Sequence, residues 1–141
     1  MSQVVTLRLP DSAAEAIRQI ARREKRSVNE VGVRIVEEWL RQQRFAHIEF
    51  RSFQGERHAC FKDRLQVWQV IMVARDYGMD VEKTAEHLSL RPEQVQSALN
   101  YYEDYPEEID PVLRENDLGY EQLKERLPSL QLIEVRIDGA P

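Results

Sequence analysis

At 141 residues the chain has room for one ordinary domain or two small ones, and a composition 42% hydrophobic and 32% charged is that of a folded protein rather than a disordered one. No apolar run approaches membrane-spanning length, and the opening MSQVVTLRLP lacks the apolar centre of a signal peptide. The single cysteine, Cys60, excludes an internal disulfide framework, so a cytoplasmic protein with no membrane partner is expected. The formal net charge of −5 argues against DNA binding only until it is divided along the chain. Residues 1–45 hold nine Lys and Arg against six Asp and Glu, a balance of +3, and the remaining 96 hold eleven against nineteen, a balance of −8.

In the segment Gln3 to Leu9 (QVVTLRL) the side chains alternate. Val5, Leu7 and Leu9 fall on one face of an extended strand, and Val4, Thr6 and Arg8 on the other. A lone strand cannot satisfy its own backbone groups, and no partner with hairpin spacing follows it. The same strand of a second copy is the simplest partner, giving a two-stranded antiparallel ribbon with Thr6 and Arg8 of both chains side by side. Pro10 ends the strand, and Asp11 or Ser12 can cap a helix whose apolar positions are Ala13, Ala14, Ile17, Ile20 and Ala21. After the basic run ARREKR, Ser27 caps a second helix with Glu30 completing a capping box, and Val28, Val31, Ile35, Trp39 and Leu40 form its apolar face. Strand, helix, turn and helix in so few residues lie close to the ~40 below which a lone chain rarely folds. A homodimer is therefore expected.

These residues, VTLRLP followed by REKRSVNEV, resemble the ribbon-helix-helix family of DNA-binding proteins of the Arc/MetJ/CopG type over residues 3 to about 42. The resemblance implies that the paired strands enter the major groove and that Val4, Thr6 and Arg8 contact base edges. It also implies that the start of the second helix, at Ser27, Val28 and Asn29, anchors a DNA phosphate through backbone N–H groups, with Lys25 and Arg26 beside it. Lys25 stands where a glycine is common in that family. Val4 has no hydrogen-bonding atom, so base specificity rests on Thr6 and Arg8, Arg being able to bond guanine at two points. Arg18, Arg22, Arg23, Lys25 and Arg26 supply salt-dependent phosphate attraction. For Arg18 and Arg22 a solvated helix face is an equal alternative. A ribbon that only dimerises is the structural alternative for the whole segment.

After RQQR a domain boundary is expected near residue 45. HIEFRSFQGERHACF then reads as strands over Ile48–Phe53 and His58–Phe61 joined by a turn at Gln54-Gly55-Glu56. Val67, Trp68, Val70, Ile71, Val73 and Ala74 lie at helical spacing up to Tyr77-Gly78. Asp80 caps a short helix with Val81, Thr84, Ala85 and Leu88 inward, and Pro92 starts another with Val95, Ala98, Leu99 and Tyr102 inward. This is a three-helix, helix-turn-helix-like domain. The stretch from Glu56 to Asp110 resembles the family called domain of unknown function 433, whose usual Gly-Thr-Arg-Ile-x-Val-Trp turn here reads Lys62, Asp63, Arg64, Leu65, Gln66, Val67, Trp68. Members accompany PIN-like toxins, so the resemblance implies an antitoxin. The polar helix face of Arg91, Glu93, Gln94, Gln96, Ser97 and Asn100 has one positive charge, which favours a scaffold or protein-binding role over a second DNA reader.

In the tail, Asp110-Pro111 can start a short helix, Asp117 can cap another with Tyr120, Leu123 and Leu127 on one side, and Pro128 ends it. LQLIEVRID follows in strand-like order. It packs on its own domain or its dimer mate, or it meets a toxin through Leu130, Leu132, Ile133, Val135 and Arg136. His47, His58 and His87 are far apart in sequence, and His58 with Cys60 gives two ligands where structural zinc needs four. With no phosphate-binding glycine loop or nucleophile elbow, no enzyme, metal or cofactor is expected.

The expected fold is mainly α: a ribbon-helix-helix dimer (1–44), a short β-hairpin with a helix-turn-helix-like domain (45–109), and a helical and strand tail (110–141). The expected function is that of a DNA-binding antitoxin and autoregulator of a type II toxin-antitoxin system, acting as a dimer or dimer of dimers on an operator and neutralising a PIN-like ribonuclease. The alternatives are a regulator without a toxin and a dimeric protein-interaction adaptor.

Overall fold

The computed structural model describes residues 1–62 and 64–127. It is mainly helical with one two-stranded antiparallel sheet: α1 (Asp11–Glu24), α2 (Val28–Arg44), β1 (Glu49–Phe53), β2 (Glu56–Cys60), α3 (Val67–Asp76), α4 (Val81–Leu88), α5 (Pro92–Asp104) and α6 (Pro106–Arg126). The chain divides into two compact units, Met1–Arg41 and a second that begins at Gln42. No described helix is long and apolar enough to cross a membrane.

In the first unit, residues 1–10 carry no regular secondary structure and are exposed. The strand expected over Gln3–Leu9 is thus not formed within one chain, for the reason that made it incomplete: a strand exists through its ladder, and β1 and β2 pair with each other. Pro10, not Asp11 or Ser12, occupies the cap of α1, without a side-chain bond; its carbonyl accepts from the Ala14 N–H at 3.0 Å, while Asp11 lies in the first turn. There its charge suits the positive helix end. Lys25 closes α1 in the left-handed region (φ 56°), and its N–H is shared by the carbonyls of Ala21 and Arg22. That conformation is the one glycine adopts most easily. The Ser27 hydroxyl accepts from the Glu30 N–H at 3.0 Å, and the Glu30 carboxylate lies 3.6 Å from the Arg26 guanidinium. Across the two helices, Arg34 grips Glu24 with both terminal nitrogens, at 2.6 and 3.4 Å, in a half-buried pair.

The second unit has an ordinary core. Phe61, Val67, Val70, Ile71, Val95, Ala98 and Tyr101 are almost wholly buried, with Phe45, Ile48, Ile109 and Leu113 around them. The hairpin turns on two residues, since Phe53 pairs with Glu56, and both turn residues have positive φ, Gln54 at 53° and Gly55 at 85°. Two-residue turns of this hand match the twist of the flanking strands, and glycine removes part of the strain. Glu56 therefore belongs to β2 rather than to the turn. Asp80 caps α4 by accepting from the Lys83 N–H at 2.9 Å, and Pro92 opens α5.

Three expectations fail here. Tyr101, not Tyr102, is the fully buried tyrosine of α5: its ring meets Phe45 edge-on at 5.2 Å and its hydroxyl donates to Glu108 at 2.5 Å. Tyr102 is half-buried, with its hydroxyl on Asp110 at 2.5 Å. The tail does not break at Asp110-Pro111, because α6 runs without interruption through both. Ile109 and Leu113, four residues apart and both buried, hold one helical face against the core, and Pro111 lies exposed on the other side. Asp117 caps nothing; its carboxylate stands 3.7 Å from the Arg75 guanidinium.

Candidate nucleic-acid interface

The first unit buries little. Among its described residues the buried hydrophobic side chains are Ala21 and Val31. Val28, Val33, Ile35, Val36, Trp39 and Leu40 all stand exposed on α2. Val31 alone of the expected α2 face is inside, whereas Ile35, Trp39 and Leu40 are apolar area left in water. Singly exposed apolar residues need no explanation, but this many on one 17-residue helix form an uncovered apolar surface.

The segment before α1 shows the same imbalance. Leu7 and Leu9 turn toward α1, lining a shallow groove with Asp11, Ala14, Glu15 and Arg18. Val4, Val5, Thr6 and Arg8 do not line that groove and are exposed, Val4 at 97% and Val5 at 76%. Among the described residues Arg8 has no carboxylate within ion-pair distance. The helix arginines differ: Arg18 and Arg22 both lie on Glu15, at 3.8 and 3.1 Å, and Arg26 lies on Glu30. Exposed pairs of this kind contribute little and exchange readily for another anion.

Ser27, Val28, Asn29, Lys25 and Arg26 are all exposed around the N-terminus of α2. The Ser27 hydroxyl is engaged by the Glu30 N–H, which leaves the first-turn amides of Val28 and Asn29 without an intrahelical acceptor. Free amides and the positive helix end favour an anion at this point. Chemically, the unit thus offers a basic, exposed N-terminal segment, an amide-lined helix end and an uncovered apolar face.

Comparison of the chain with protein-family models, curated proteins and solved structures found no match. The resemblances therefore rest on the residues themselves.

In the second unit the polar face of α5 is reduced. Ser97 is buried, Gln94 accepts from the Arg91 N–H at 2.9 Å, and Gln96 donates to Asn100 at 2.9 Å. The capping role of Gln94 follows from its place three residues after Arg91, where its side chain reaches back to the Arg91 N–H. Sequence reasoning also missed the two tyrosine–carboxylate bonds that tie α5 to α6, because their partners are seven and eight residues apart across a helix junction. Cys60 is buried, His58 is 3.6 Å from Glu56 and His87 is 3.2 Å from the Tyr77 hydroxyl. No group of three metal-binding side chains forms among the described residues. Leu130, Leu132, Ile133, Val135 and Arg136, the expected toxin contacts, lie outside the described residues.

Proposed function

We propose that this chain is a dimeric, DNA-binding antitoxin that represses its own gene and neutralises a PIN-like ribonuclease. Two copies pair through Gln3–Leu9 and cover the exposed face of α2. The resulting ribbon lies in the major groove, with Thr6 and Arg8 on base edges and the α2 N-termini on phosphates. The helix-turn-helix-like second unit serves as scaffold and partner surface.

The observation that supports this reading is an N-terminal segment left exposed and without regular secondary structure, in which Leu7 and Leu9 line a groove with α1 and Arg8 has no ion-pair partner among the described residues. The antitoxin part rests on the resemblance of residues 56–110.

A gel shift with DNA from upstream of the chain's own gene tests the first part. Binding is expected to weaken steeply with salt. Arg8→Ala should cost about 1–3 kcal/mol of specific binding and leave the dimer intact. Salt-sensitive binding that survives Arg8→Ala without loss would remove Arg8 from the interface. For the second part, the product of the neighbouring gene should co-purify with the full chain. The balance of −8 over residues 46–141 favours one other reading, an adaptor whose ribbon only dimerises while the acidic unit binds a basic protein. Absence of any salt-sensitive DNA binding would favour it.

A further inference from the structure

We propose that the second half of α6 is a docking face for the chain's own C-terminal segment, with Ile133, Val135 and Ile137 running back along the helix to cover Tyr120, Leu123 and Leu127. The proposal needs neither DNA nor a toxin. At about 100° per residue, Ile109, Leu113, Tyr120, Leu123 and Leu127 fall within about 80° of one another around α6, so they form one continuous stripe. Its first half lies in the core, with Ile109 5% and Leu113 3% exposed, whereas Leu123 is 41% and Leu127 44% exposed. Between the halves, Tyr120 is half-buried, and its hydroxyl is buried with no hydrogen-bond partner among the described residues. A buried hydroxyl without a partner is costly, which marks a place where a further polar group belongs.

Length and sequence name the occupant. Fourteen residues, 128–141, follow Leu127 and lie outside the described residues. Pro128 cannot continue α6, and after it Ile133, Val135 and Ile137 take alternate positions with Glu134, Arg136 and Asp138 between them. An extended segment of that pattern has one apolar side and one charged side. Its backbone stays at the surface in water and so needs no ladder. From Ile133 to Ile137 it spans about 13 Å, against about 11 Å from Leu127 back to Tyr120 along the helix. The five residues from Pro128 to Leu132 exceed the four of a reverse turn. Charge is complementary at the rim: α6 ends in Lys124 and Arg126, Lys124 lying 5.1 Å from the Tyr120 ring centre, and in the segment Glu134 and Asp138 outnumber Arg136. A second copy fits less well. Two leucines and a half-buried tyrosine fall far short of the about 800 Å² that each partner of a stable complex covers, whereas a segment tethered at Leu127 needs no such area. A partner that takes Ile133 and Val135 has to displace them from α6 first.

Two cysteine pairs in the full chain test this. Leu123→Cys with Val135→Cys places thiols across the proposed contact, and Glu125→Cys with Val135→Cys is the control, about 160° around the helix from Leu123. Leu123 and Glu125 lie outside the buried core, so neither change disturbs it. Under mild oxidation the first pair should close within one chain about tenfold faster than the control, and peptide mapping separates these bonds from any to Cys60. A mixture of the Leu123→Cys and Val135→Cys single variants should give no bond between chains. Equal rates for the two pairs would overturn the proposal. So would a 123–135 bond that forms only between chains, which would give the face to a second copy. Without added cysteines, Val135→Asp should speed amide exchange over residues 120–126 about tenfold, the factor for uncovering one valine. Unchanged exchange there would also overturn the proposal.

Discussion

The two units meet the same requirement with different means. The second closes its core within one chain: Tyr101, Phe61, Ile71 and Val70 are almost wholly buried, the strands of its hairpin pair with each other, Asp80 caps α4 and Pro92 opens α5. The first has well-formed helices joined by a half-buried Arg34–Glu24 pair, yet it buries Ala21 and Val31 and leaves Trp39 58% exposed. Helix propensity and capping are sufficient to form α1 and α2 locally; they do not supply the apolar burial that holds a domain of this size together. The lesson is that local order and completeness are separate properties. A chain can have the first without the second, as the first unit does.

The largest effect that would sharpen this contrast is expected at Tyr101. Replacement by Ala removes an aromatic ring from the centre of the second unit and should cost about 3–5 kcal/mol of its stability. Calorimetry of the full chain should show the second unit's transition falling while the first unit's remains. A matched loss in both transitions would mean that the units are not independent. Next in size is Ile35→Glu, which places a charge on the exposed apolar face of α2. It should weaken self-association by about 1.5–3 kcal/mol, measured by sedimentation equilibrium, because the side chain loses its cover in the dimer. In a single chain the same position is 38% exposed, so a monomeric protein would tolerate the change. Unchanged association would separate the apolar face from the dimer.

The smallest effect is a pH dependence confined to the second unit. The hydrogen bond to Asp110, burial and the Asp110 charge hold the Tyr102 phenol above its ordinary value of 10.0, partly opposed by Arg75. A raised folded value means that the folded state holds the proton more tightly. This contribution is fully present below the unfolded value and is lost as pH rises through the folded one. Stability of the second unit should therefore decline in the alkaline range above about pH 10, and Tyr102→Phe should flatten that decline. An identical alkaline slope in the variant would assign it to other groups.

Much of the second unit was legible in the sequence. The helical spacing of Val67 to Ala74, the Asp80 cap, the Pro92 start and the Gln54-Gly55 turn are local signals, and local physics decides them. What escaped was decided over longer range. Asp110-Pro111 looks like a helix start until Ile109 and Leu113 are seen to need one continuous face. Tyr101 and Tyr102 are equally aromatic neighbours, and only the direction of α5 against Phe45 tells which is inside. In the first unit, period places Val5, Leu7 and Leu9 on one face, and of these Leu7 and Leu9 line the groove beside α1 while Val5 stands exposed. The strand expected there is not formed, since extended structure depends on a paired strand and among the described residues β1 and β2 pair with each other.

Thermal unfolding of the full chain, followed by circular dichroism over about a hundredfold range of protein concentration, tests the central claim most directly. Two transitions are predicted: one, from α1 and α2, moves to higher temperature as concentration rises, while the other stays fixed. Two transitions that both ignore concentration would show that the first unit is complete within a single chain, and the account would fail.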